Sequence, residues 1–152
     1  MSQRNFKRSF ILFVLFLSSF LFVSPVFAAD NWHKLSVKDA IQSPLGKEKL
    51  TPTVKLFMSG QKHAKAAKEF GSFKSNKRSN AFGKSAQAAC DRAFISALIS
   101  LQERAISEGG NAVVDIYTIT KDKKFESAEQ YSCIKGGFVA NVALMGTVVE
   151  LN

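Results

Sequence analysis

The sequence is poor in the residues that most often carry catalysis or hold metal. Its two histidines and two cysteines, His33, His63, Cys90 and Cys133, are the only soft metal donors, and their spacings match no zinc-ligand pattern. There is no G-x-S-x-G elbow, and neither histidine has a recognisable Ser or Asp partner, so the signature of a nucleophilic hydrolase is missing. Both histidines lie among polar neighbours and read as surface residues. Carboxylates are also few. Asp115 lies within an apolar run and is either a buried acid or a side chain on a sheet's wet side, while Glu126 and Glu129 read as hairpin surface charges. No catalytic residue, metal site or cofactor is implied. Internal repeats and low-complexity tracts are absent too, which excludes a solenoid or a disordered linker.

What the sequence does have begins at its start. Arg4, Lys7 and Arg8 precede an apolar run of 14 residues, 10 to 23, followed by Pro25 and the small-residue stretch "VFAAD". That is the three-part layout of a secretory signal, with cleavage expected after Ala28 and Val26 at the −3 position. An uncleaved membrane anchor is the alternative, although the run is shorter than the ~20 residues a spanning helix needs. No cysteine lies near the junction to carry a lipid, and no later stretch is long enough to span a bilayer. Residues 29 to 152 then form one domain, long enough to bury a core, in the periplasm or outside the cell. In such an oxidising compartment an even cysteine count reads as a Cys90–Cys133 disulfide.

The net charge of +9 is unevenly spread. Residues 47 to 84 hold ten Lys or Arg against Glu48 and Glu69, whereas 85 to 152 hold six basic and eight acidic side chains. A basic half joined to a near-neutral half suggests one cationic face. It is either a solvated lysine surface or a site for an anionic envelope component such as phospholipid headgroups or lipopolysaccharide. Aromatics interleave with the lysines (Trp32, Phe57, Phe70, Phe73, Phe82, Tyr117, Phe125, Tyr131), as on a single-stranded nucleic-acid binder. Core filling is the stronger reading, and export argues against a nucleic-acid partner.

Periodicity supplies the elements. "SVKDAIQ" (36 to 42) starts with a capping pattern, Ser36 and Asp39, and predicts a short helix ending before Pro44, within an otherwise irregular lead-in over 29–52. "TVKLFM" (53 to 58) and "AAKEFGSFKS" (66 to 75) read as strands, with a bulge at Gly71, and "NKRSNAFGK" (76 to 84) as a loop. Residues 85 to 108 carry apolar side chains at three- and four-residue spacing, widened by Ile95, Ile99 and Ile106, with Ser85 as N-cap. Strands are then expected at 112–120, 126–134 and 138–151, with a turn at "KDKK", a tight connection at Gly136-Gly137 and a bulge at Gly146. The fold class is α+β: one long helix packed on a mostly antiparallel sheet of about four to five strands.

Two glycine-containing stretches invite a phosphate-loop reading. Gly83-Lys84-Ser85 opens the long helix, but Arg78 stands where such a loop needs its first glycine, and no apolar strand leads in. A weaker idea remains beside ordinary capping: Lys77, Arg78, Lys84 and Ser85 around a helix N-terminus could hold a phosphate or sulfate group. Gly109-Gly110 lies at the helix's C-terminus, where the dipole repels anions, so one of the two is expected to take the left-handed cap position.

Across "NAFGKS", "ALISLQERA", "GGNAVV" and "GGFVANVAL" the chain resembles small exported bacterial proteins labelled excinuclease ATPase subunit-like. That label does not imply the activity, because the chain lacks a true excinuclease's length, nucleotide loops and zinc cysteines. More distantly, the helix–"GGNAVV"–strand joint resembles YbjQ-type domains and the Rcs-system outer-membrane stress lipoprotein. This resemblance implies a helix on a small sheet, a sensing or interaction role in the envelope, and, from ring-forming YbjQ-type domains, an oligomer. The reading that results is a disulfide-bonded, non-enzymatic interaction or envelope-sensing domain with a basic face for an anionic envelope component or periplasmic protein. A small-ligand binder or an enzyme without a recognisable motif is the alternative.

Overall fold

The computed structural model describes residues 31–152; the leader and cleavage site expected from sequence fall outside them. The class is α+β, but among the described residues the sheet has seven strands and three helices accompany it, where the sequence predicts one long helix on four to five strands. In chain order the elements are β1 (Asn31–Ser36), α1 (Val37–Gln42), α2 (Pro44–Lys49), β2 (Lys55–Met58), β3 (Ala66–Asn80), α3 (Ala86–Glu108), β4 (Ala112–Thr120), β5 (Lys123–Phe125), β6 (Gln130–Lys135) and β7 (Val139–Leu151).

The lead-in is therefore more ordered than its sequence suggests. Polar β1 carries no hydrophobic alternation, yet it pairs antiparallel with β6 from Asn31↔Lys135 to Ser36↔Gln130. Ser36 caps α1 by accepting from Asp39 N–H, and the helix stops before Pro44. Pro44 then opens α2 rather than ending the structure, because its missing N–H costs nothing in a first turn. Ser43 serves both helices, its hydroxyl accepting from Gly46 N–H while its own N–H donates to Ala40.

β7 is the spine of the sheet. Its whole length pairs with β3 on one edge; the other edge is shared between β4, opposite residues 144–149, and β6, opposite Ala140 and Asn141. Where pairing passes from one neighbour to the other, hydroxyls satisfy the backbone: Thr118 Oγ1 accepts from Ser132 N–H and Thr120 Oγ1 from Ala143 N–H. β2 is the one parallel partner, lying along β4.

β3 runs on through residues 76–80, which the sequence reads as loop. The helix-facing positions from 75 onward are Ser75, Lys77 and Ser79, none of them apolar, so no hydrophobic period marks the strand. Ser79 instead donates its hydroxyl to Ala89 O in α3, at 2.5 Å. The Gly71 bulge is present, Glu69 and Gly71 pairing with successive residues Val149 and Val148. Opposite Gly146, by contrast, the bulge sits in β4: Asp115 takes φ 51°, and Val114 and Tyr117 flank the slip. The extra residue turns the exposed Asp115 outward and lets Ile116 into the core. Gly146 is needed for closeness instead, since a Cβ there would lie 2.7 Å from Val113 Cγ1. "KDKK" folds as a two-residue turn, Lys121 (φ 49°) and Asp122 (φ 58°), that leads straight into β5. The fourth expected strand begins later than expected, at Gln130, because Ser127 Oγ accepts from Glu129 and Gln130 N–H and makes the stretch before it a turn.

α3 lies across β3 and β7 and buries Phe94, Ile95, Leu98 and Leu101 against Val113, Val142, Leu144 and Val148. Ile106, placed on the apolar stripe by spacing, is 58% exposed. Gln102, a polar residue on the buried side, is 3% exposed and pins the segment before β2: it accepts from Thr51 N–H and donates to Thr51 O and Val54 O. Gly109 takes the left-handed cap (φ 82°), and Gly110 allows close approach, since a Cβ there would meet Val148 Cγ1 at 2.7 Å.

Candidate functional site

Strand alternation decides which side chains meet. On β3, Phe73, Ser75, Lys77 and Ser79 face α3, while Ser72, Lys74, Asn76 and Arg78 face the opposite side of the sheet. Among the described residues no helix covers that second face. Towards one end, Phe57 and Ala66 pack over Ala112, Val114, Val149 and Leu151. Towards the other lies a concavity of about 410 Å³ with Lys74, Asn76 and Arg78 along one wall, Lys121 and Asp122 on the opposite side, and Ile119, Ile134, Val139 and Ala143 in its floor.

The groove is held in shape by its own polar contacts. Asn141 Nδ2 donates to Asn76 Oδ1 at 2.6 Å and to Lys77 O at 3.1 Å, tying β7 to β3 beneath the rim. Lys74 Nζ lies 3.6 Å from Asp122 Oδ1, a solvent-exposed pair of small energetic weight. Trp32 pairs with Ile134 across β1 and β6, so it stands on the same face, with Lys123 Nζ 5.3 Å from its ring centre. Beyond it, Lys34 sits 4.8 Å over Phe125 and Lys124 sits 4.5 Å over Tyr117. Lys34, Lys74, Arg78, Lys121, Lys123 and Lys124 thus stand on or beside this face. The carboxylates among them, Asp122 and Glu126, are already engaged by Lys74 and Lys124. A concave wall in which cations outnumber carboxylates, here Lys74, Arg78 and Lys121 against Asp122, raises the local concentration of anions.

The four residues grouped by sequence around the helix N-terminus do not converge. Lys77 and Arg78 are neighbours on a strand and point to opposite faces, and only Arg78 reaches the groove. Ser85 Oγ is occupied as the N-cap, accepting from Ala88 N–H at 3.1 Å. Lys84 is exposed in the turn between, its N–H donating to Ala81 O. A strand does lead into Gly83-Lys84-Ser85, but it is the polar end of β3. The lysines of 47–84 are dispersed as well: Lys47 and Lys49 lie on α2, and Lys62 and Lys65 lie between β2 and β3. The groove instead combines Lys74 and Arg78 with residues from β4, β6, β7 and the β4–β5 turn. Sequence reasoning missed Lys74, Asn76, Lys121 and Asn141 as site residues. The one available signal was the alternating "KSNKR" on an edge strand.

On the covered face Cys90 and Cys133 form a disulfide joining α3 to β6, with Cα atoms 6.0 Å apart. Tyr131 reinforces the same joint. Its ring stacks on Phe94 at 4.0 Å, and its hydroxyl donates to Asp91 Oδ1 at 2.5 Å. Burial, and then the adjacent Asp91 carboxylate, hold the Tyr131 phenol protonated well above the usual tyrosine range. Among the described residues no three His, Cys, Asp or Glu side chains gather as a metal site, and no helix is long and apolar enough to cross a membrane.

Fold and site together define a disulfide-bonded α+β domain with one helix-covered and one partly open sheet face. Comparison with protein-family models, curated proteins and solved structures gave no match to this chain.

Proposed function

We propose that the protein is a non-enzymatic interaction domain, exported to the periplasm or beyond, that binds an anionic component of the cell envelope through the open face of its sheet. The observation that carries this reading is the groove itself: Lys74, Arg78 and Lys121 rim an apolar floor of Ile119, Ile134 and Val139. Such a surface suits an amphiphilic anion better than a small ion, because charge and apolar area are offered side by side. The leader-like start and the disulfide support export, since such bridges persist in oxidising compartments.

The test is co-sedimentation with washed envelope fragments at low and at moderate salt. Lys74→Glu/Arg78→Glu should lose most of the bound fraction, and the wild type should release as salt rises. Lys38→Glu/Lys47→Glu changes net charge equally on α1 and α2 and should bind like wild type. Equal losses from both pairs would show that overall charge, not this face, governs binding.

A further inference from the structure

Two chain turns meet at the end of the sheet where the groove opens. One joins β3 to α3 (81–85) and the other joins β6 to β7 (136–138). They are tied by Ala81 N–H donating to Phe138 O at 2.8 Å. From them project Phe82 and Phe138, with ring centres 5.5 Å apart and planes within 4° of parallel. Stacked on each other, they remain 67% and 72% exposed, the two most exposed large apolar side chains among the described residues. Val139, 46% exposed, continues this apolar tip into the groove wall. The rings leave on the order of 250 Å² of aromatic surface in water, which a chain without a use for it would bury or replace.

The two segments that carry the tip are basic. Residues 76–90 and 131–149 contain no Asp or Glu, and they hold Lys77, Arg78, Lys84 and Lys135. Arg78 stands on the open face behind Val139, Lys84 lies two residues beyond Phe82, and Lys135 precedes the Phe138 turn.

We propose that the Phe82–Phe138 tip inserts into the interface of an anionic phospholipid bilayer while Arg78, Lys84 and Lys135 engage its headgroups. This rests on the open-face reading above and names its ligand as a lipid surface. A pair of rings on convex turns needs no concave partner, and a bilayer interface accepts it directly. Cations flanking an apolar wedge are the arrangement that anionic interfaces retain, through apolar burial plus headgroup attraction.

The experiment is vesicle flotation of the oxidised protein with phosphatidylglycerol–phosphatidylcholine and with pure phosphatidylcholine. Binding is expected to the first and not to the second. Phe82→Ser/Phe138→Ser should weaken it at least tenfold without changing the thermal midpoint, because both rings are solvent-exposed. Inorganic phosphate at matched ionic strength should not compete beyond a chloride control. The emission that Phe138→Trp adds to that of the native Trp32 should shift to the blue only with the anionic vesicles. Full binding by the serine pair, or no shift from Trp at 138, overturns the tip. If Lys74→Glu/Arg78→Glu still loses envelope binding in that case, the open-face reading survives alone. Retention by lipid-free envelope protein with none by anionic vesicles overturns the proposal in favour of a protein partner.

Discussion

Breaking the Cys90–Cys133 bond should both lower global stability and loosen one identifiable part of the sheet. The bridge closes a loop with a sequence separation of 43, which on the chain-entropy model stabilises the fold by about 4 kcal/mol. At about 2.1 cal/mol/K per residue, some 120 folded residues unfold with an entropy near 0.25 kcal/mol/K, so the midpoint should fall by roughly 15 °C on reduction. The loss should also be local. β6 meets β7 through only Ile134↔Asn141 and Lys135↔Ala140, and β1 pairs with β6 alone. Without the bridge, β1 and β6 are held to α3 mainly by the Phe94–Tyr131 stack and the Tyr131–Asp91 hydrogen bond. The assay is thermal melting by circular dichroism with and without a phosphine reductant, joined to native-state hydrogen exchange. Faster exchange is expected first in β1 and β6. A midpoint shift under about 5 °C, or early loosening in β3 or β4, would refute the reasoning.

Two further outcomes concern single residues. Gly110→Ala should destabilise the protein by roughly 1–3 kcal/mol through overpacking against Val148. Gly109→Ala, strained only by its positive φ with open space around it, should cost about 1 kcal/mol; denaturant titration reads both, and a reversed order would count against the joint described. Tyr131 has a raised folded-state pKa, so its contribution is complete below the unfolded value near 10 and is lost as pH rises beyond it. Melts between neutral and alkaline pH should show that decline in the wild type and a shallower one in Tyr131→Phe; equal slopes would contradict it.

The parts of this fold that sequence makes legible are those whose buried side is apolar. α3 announces itself through the Phe94, Leu98 and Leu101 stripe, and its caps through Ser85 and Gly109, because burial and backbone geometry there select particular residue types. β1 and the end of β3 stay hidden for the opposite reason. Their inward positions hold His33, half-buried, and the hydroxyl-bearing Ser75 and Ser79; Ser79 bonds to α3, while Ser75 Oγ is buried with no hydrogen-bond partner among the described residues. The Lys121-Asp122 turn lacks the glycine that usually marks its type. The groove is the least legible feature. Lys74 and Arg78, Lys121, Ile134 and Asn141 come from four places in the chain, and only the pairing of β3, β4, β6 and β7 brings them to one face.

The central claim, that the open face is the binding surface, is tested most directly by backbone NMR of the oxidised protein titrated with anionic phospholipid bicelles at low salt. Perturbed amides are predicted at Lys74, Asn76, Arg78 and Asn141 and around Phe82 and Phe138, reversing as salt is raised. The wet side of α3, at Arg92 and Glu103, should stay unchanged. Perturbation confined to α3, or none at low salt, would contradict the account.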